Sequence, residues 1–336
     1  MGYTIFCIFQ IPVAIAQNIQ TILICRFLGG IFSSAPLATV GGSLADFWDP
    51  VNRAVAVSVF AGATFAGPVA GPIVGGFVTN SHLGWRWTAW ITLIMSSFFG
   101  LVSFIVIPET YASTLLQAKA KRLRRETNNQ ALYSKFDESN VSWGSLARKY
   151  MLRPFIMLSQ EPILVLFTAY LSVVYGIIYL CLVAYPMSFQ VDRGWGEGVG
   201  ALPFIGTLVG IIAGSSVITL ITKTRFARKY KKHGRVIPEE RLPAMILGAV
   251  ILPVGLFWFA WTSSPQISWV PQVLAGGPIG MGLLMIFLPG LNYIVDVSTL
   301  CRLVHWSQSR TCSLTLSRYI HGTLIQLWLP ISFCGR

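Results

Sequence analysis

The sequence predicts an all-α integral membrane protein, a helical bundle that crosses the bilayer about eight times. Three observations carry this prediction. Of 336 residues, 54% are hydrophobic and only 11% charged, with a mean hydropathy of +0.64. A soluble chain of this length cannot hide so much apolar surface behind so few charges. Apolar runs long enough to cross about 30 Å of hydrocarbon, roughly 20 residues each, recur along the chain. The basic residues behind the net charge of +13 gather between those runs, which makes them loop charge rather than a nucleic-acid-binding face.

Taken in order, the predicted spans are 3–20, 22–45, 54–79, 88–107, 162–187, 200–222, 243–262 and 269–292. The first is the weakest, because Pro12, Gln17 and Asn18 interrupt it. Between the fourth and fifth, residues 112–158 carry nine Lys or Arg against three acids, and residues 223–241 carry eight against two. Two spans separate these segments, so both lie on one side, which the positive-inside rule makes cytoplasmic. The turn bearing Asp46 and Arg53 falls on that side too. Loops 80–87, 190–199 and 263–268 then face outward, with Arg86 and Arg193 as their basic residues. The six cysteines form no C-x-x-C pair, and His82, His233, His305 and His321 are scattered. Neither a disulfide framework nor a metal site is indicated, and no cofactor is expected.

The third span holds the most specific string, Gly62-Ala-Thr-Phe-Ala-Gly67-Pro68-Val-Ala-Gly71-Pro72-Ile-Val-Gly75-Gly76-Phe77. Ala63, Gly67, Gly71 and Gly75 recur every fourth residue, which places them on one helix face where another helix can approach closely. Pro68 and Pro72 each remove a backbone donor and bend the helix. On spacing alone, a small-residue packing face with a kink explains the string.

The string also resembles the antiporter motif in the fifth span of major facilitator superfamily exporters, specifically the fungal twelve-span drug:proton antiporters. Other segments fit that family in order: Arg26-Phe27-Leu28-Gly29-Gly30, Ala45-Asp46 with Arg53, Trp85-Arg86-Trp87, Pro108-Glu109-Thr110-Tyr111, Tyr175-Gly176-Ile177-Ile178-Tyr179, Arg193-Gly194-Trp195, Leu202-Pro203-Phe204 and Asn292-Tyr293. The match runs from residue 1 to 297. It implies a major facilitator bundle equivalent to family spans three to ten: 1–111 from the N-terminal six-helix bundle, 112–158 a basic cytoplasmic central loop, and 159–297 from the C-terminal bundle. On the same comparison the first two and last two family spans are absent, and 298–336 is an aberrant tail outside the family pattern.

The candidate residues follow. Arg26 lies inside its span, where a buried Arg costs about 3 kcal/mol at the helix centre. The resemblance implies a part in proton coupling; the alternative is a side chain that snorkels to the outer interface. Asp46 and Arg53 either pair as a cytoplasmic gate broken during rocking or stand as two solvated charges. Tyr170, Tyr175 and Tyr179 share one span, the latter two at i and i+4. They either stack on a hydrophobic or cationic substrate or pack against neighbouring helices. Asn292, closing the last span, joins them as a cavity candidate. Acidic residues sit at span ends or in loops, Val183 stands where many relatives have an acid, and no nucleophile–base arrangement suggests an enzyme.

The resemblance therefore implies proton-coupled export of drugs or other small amphipathic organic compounds by alternating access, with the Gly67-to-Gly76 helix as a hinge between bundles. The implied partners are a small-molecule substrate and the bilayer, with no nucleic acid. The chain is expected to be monomeric, multi-pass and in the plasma membrane, driven by the proton gradient. The rival reading is a truncated, non-transporting membrane protein that packs with full-length relatives.

Overall fold

The structure is a computed structural model that describes residues 2–106, 109, 111–127, 152–160, 162–233 and 238–305, with backbone alone at Asp46 and at 295–305, among others. The elements in order are α1 (Gly2–Ile15), α2 (Ile19–Phe47), α3 (Pro50–Asn80), α4 (Arg86–Val106), α5 (Ala112–Thr127), α6 (Arg153–Gln160), α7 (Pro162–Pro186), α8 (Phe204–Ile221), α9 (Ala227–His233), α10 (Leu242–Trp261) and α11 (Trp269–His305). Wider π turns continue α7 over Met187–Asp192 and α8 over Thr222–Phe226. No strand occurs among the described residues, as a bilayer requires of a chain that satisfies its backbone within each span.

Seven described helices are long and apolar enough to cross a membrane, and they match seven of the predicted spans. The other predicted span, 3–20, is shorter than expected. Its helix, α1, has 14 residues, about 21 Å at 1.5 Å per residue. Pro12 sits within this helix, and the break comes after Ile15. The predicted loop 112–158 is helical at both described ends, as α5 and α6. The last span extends past 292, and α11 stays helical to His305. Pro68, Pro72, Pro253, Pro278 and Pro289 all lie inside helices.

Contacts fall into two groups joined through α3. Helix α1 packs on α2 and α4, while α11 lies between α8 and α10 with α7 alongside. Helix α3 touches α2 and α4 on one side and runs against α8 on the other. Lipid tails are as apolar as leucine, so close packing rather than water exclusion holds such helices together. The closest packing joins α8 to α11. A Cβ on Gly206 would run into the Val273 carbonyl, one on Gly210 into the Gly277 carbonyl, and one on Gly280 into the Thr207 carbonyl. On the other side of α11, a Cβ on Gly282 would lie 2.8 Å from the Leu252 nitrogen. Around this seam Ala275, Ile279, Leu284, Met285 and Ile286 lose all exposure.

Candidate functional site

The structure assembles an aromatic ladder from three helices. Tyr175 and Tyr179, one turn apart on α7, stack edge to face with centroids 5.3 Å apart, and their hydroxyls lie 3.5 Å apart. Tyr175 reaches Phe287 of α11 at 5.9 Å. Phe287 in turn meets Phe65 of α3 edge on at 4.9 Å. The ladder thus runs from the second helix group back to α3. Its outer rungs are open, with Tyr175 45% and Tyr179 57% exposed. The result is a pair of π faces carrying adjacent hydroxyls, a surface that suits a flat organic molecule with a polar edge.

Two other residues expected at this place lie elsewhere. Tyr170 is half-buried and packs on the core around Leu171, Val174 and Ile286, because five residues of helix turn it about 140° away from Tyr175. Asn292 lines a crevice with Ser58, Thr222, Glu240 and Arg241 at the end of the bundle that the charge pattern makes cytoplasmic. That crevice, about 20 Å³, holds one water-sized molecule rather than a substrate. Beside it, Lys229 pairs with Glu240, and the Arg241 guanidinium lies 5.1 Å from the Phe226 ring centre.

Arg26 sits on α2 with an exposed side chain, and no ion pair holds it among the described residues. At the start of α3, Asn52 donates to the Asp49 carboxylate in the turn before it at 2.6 Å, and Arg53 is half-buried beside it. The Asp46 side chain lies outside the described residues, as do Asp296's and all of 306–336.

The glycine-rich string makes its close contacts on a face different from the one its four-residue spacing suggests. Among the described residues, nothing lies within 4 Å of a Cβ placed on Gly67, Gly71 or Gly75. The close approaches belong to Gly62, whose Cβ would lie 3.3 Å from the Ser215 hydroxyl, and Gly76, whose Cβ would lie 2.6 Å from the Glu197 carbonyl. With Val69 buried between them, these residues form the α3 stripe that runs along α8 and the loop before it. Ser215 also donates to the Ser58 carbonyl at 3.3 Å. Pro68 is exposed and Pro72 half-buried.

A polar cluster at the end of the bundle that the charge pattern makes outward carries little signal in the sequence. Tyr185 is almost fully buried, stacked on Phe204 at 4.6 Å, with its hydroxyl 3.0 Å from that of Thr207. One turn on, Gln272 donates to the Ser188 hydroxyl at 2.6 Å. Arg193 donates to the carbonyls of Ile267 at 2.8 Å, Ser264 at 2.9 Å and Thr262 at 3.3 Å, closing the C-terminal end of α10. The available signal was a glutamine opening an apolar helix, since a buried amide in a span needs a partner.

The comparisons with known proteins agree with this architecture. The profile of the Major Facilitator Superfamily matches residues 1–299. The chain is 54% identical to the citrinin biosynthesis cluster MFS transporter mrr1 of Monascus ruber, over 88% of this chain and 60% of that relative. It is 53% identical to the ascochitine biosynthesis cluster MFS transporter of Didymella fabae, over 88% of this chain and 57% of that one. An uncharacterized transporter of Schizosaccharomyces pombe is 42% identical over 88% of this chain and 55% of its own length. The chain therefore spans about 60% of the length of these relatives. No solved structure matches. A family profile over nearly the whole described chain, relatives above half identity and seven membrane-length helices without a strand agree: the chain is a multi-pass membrane protein of the major facilitator superfamily.

Proposed function

We propose that the protein exports small amphipathic organic compounds in exchange for protons, by alternating access at the plasma membrane. The observation that carries this reading is the ladder Phe65, Phe287, Tyr175 and Tyr179, since it offers stacking surface and hydroxyls where the two helix groups meet. A site at the junction of two rocking bodies is what alternating access needs. Two relatives are named for biosynthesis clusters, which supports a small organic product as cargo. In this reading Arg26 holds or passes charge during proton coupling, Asp46 and Arg53 gate the cytoplasmic side, and α3 is the seam on which the groups move. No cofactor takes part.

Proteoliposomes test this. Vesicles with the cytoplasmic face outward and an acidic lumen should accumulate a planar fluorescent amphiphile, and a protonophore should abolish the uptake. Dye distribution equal to that of empty vesicles overturns the reading for this chain.

The uncovered Gly67, Gly71 and Gly75 face favours a second reading, a non-transporting chain that packs with full-length relatives. Small residues in spans commonly mark a helix-packing surface. Disulfide trapping between Gly71→Cys copies, or between this chain and a full-length relative, would report such packing.

A further inference from the structure

Helix α5 is a surface that the transport reading does not use. We propose that α5 lies in the cytoplasmic membrane interface and binds anionic lipid headgroups. Its sequence, Ala-Ser-Thr-Leu-Leu-Gln-Ala-Lys-Ala-Lys-Arg-Leu-Arg-Arg-Glu-Thr, separates into two faces when wound at about 100° per residue. Leu116, Ala120 and Leu123 fall within an arc of about 60°, Arg124, Lys121, Arg125 and Arg122 spread over about 160° beyond it, and Lys119 flanks the apolar arc about 40° on its other side. A basic face beside an apolar one is what holds a helix flat at the headgroup boundary rather than across the bilayer.

Three further observations fix the occupant. Leu116, on the apolar arc, is 59% exposed, so the helix presents an apolar side chain that the described protein does not cover. Five residues separate Val106, the end of the membrane-spanning α4, from Ala112. That linker reaches at most about 20 Å, which keeps α5 at the membrane surface. The charge is one-sided: five Lys or Arg against Glu126, which Arg122 engages at 2.7 Å. The positive-inside orientation places this charge at the leaflet that carries phosphatidylserine and phosphoinositides. A protein partner would have to match the same two faces, whereas the lipid surface lies within reach of the linker.

The experiment is hydrogen exchange on the intact chain in nanodiscs of phosphatidylcholine alone or with about 30% phosphatidylserine, at low and high salt, since screening within about 3 Å at 1 M removes headgroup attraction. Amides of 116–127 should exchange at least about tenfold more slowly in the anionic discs, given roughly fivefold in binding per basic residue near the surface. High salt should erase the difference. The quadruple variant K121Q, R122Q, R124Q, R125Q should lose it too, while α10 and α11 keep their protection as proof of folding. Equal exchange in both disc types overturns the proposal. So does protection that is the same in lipid-free detergent, because a protein surface would then be the cover. Unchanged lipid dependence in the quadruple variant also overturns it.

Discussion

Gln272 and Ser188 meet through a 2.6 Å hydrogen bond between α11 and the π turn that ends α7, and Gln272 exposes no surface. Its Oε1 has no hydrogen-bond partner among the described residues. Removing one partner of a buried pair costs more than removing the polar group altogether. Ser188→Ala, which strands the whole amide, should destabilise the folded chain by about 1–3 kcal/mol. Gln272→Leu, which replaces the amide with an apolar side chain of similar size, should cost less. Gln272→Leu still leaves the Ser188 hydroxyl without the amide, so the double variant should cost least, and thermal unfolding in detergent gives the order.

The glycines predict an asymmetry between helices that carry the same spacing. Gly210→Ala drives a methyl into the Gly277 carbonyl on the α8–α11 seam, and overpacking of this kind costs about 1–3 kcal/mol. Gly71→Ala meets open space, and alanine is the better helix former by about 1 kcal/mol. Melting of the two variants should therefore shift in opposite directions, or in one direction only for Gly210. A larger loss at Gly71 than at Gly210 would show that the α3 face is covered in the membrane.

The aromatic ladder predicts a loss of substrate affinity without a loss of stability. Tyr179 is more than half exposed, so Tyr179→Ala removes little packing. Aromatic pairs contribute about 0.5–1.5 kcal/mol beyond area, which on the proposed transport reading corresponds to a rise in KM of about twofold to thirteenfold in dye uptake. Tyr179→Phe should retain the stacking and reveal what the hydroxyl adds.

Arg193 predicts a dependence on geometry rather than charge. Its guanidinium spreads its donors over two nitrogens to reach three carbonyls, a planar fork that the single ammonium nitrogen of a lysine does not reproduce. Arg193→Lys should lower stability nearly as far as Arg193→Ala, by about 1.5–3 kcal/mol. Hydrogen exchange at the Trp258–Ile267 end should rise in both.

The spans were legible because apolar length is a one-dimensional property: α3, α7, α8, α10 and α11 can be read without knowing any neighbour. Contacts are not one-dimensional. The four-residue spacing of Gly67, Gly71 and Gly75 is repeated by Gly206, Gly210 and Gly214, and spacing names a face without naming what lies against it. The Tyr175–Tyr179 pair could be read because both residues are on one helix. Phe65 and Phe287, 222 positions apart, could not be joined to it. Helix α5 reads as loop in the sequence because its basic residues mask an apolar stripe when hydropathy is averaged along the chain. Gln272 carried a signal that the apolar average of its helix concealed.

The loops that the charge pattern makes outward hold Arg86 and Arg193 in a way that bears on how the chain is inserted. Arg86 donates to the Ala16 carbonyl at 3.2 Å, just past the end of α1, and Arg193 closes the end of α10. Both cations rest on the negative poles of helices from other parts of the sequence. During biogenesis these are positive charges that have to be carried across the bilayer against the prevailing bias; Arg86 finds its counterweight on α1, made before it, whereas Arg193 gains its own only once α10 has arrived. The position of one loop is therefore secured by a helix already made and that of the other by a helix still to come, so a lesion in α1 or α10 can disturb the topology of a loop far away in the chain.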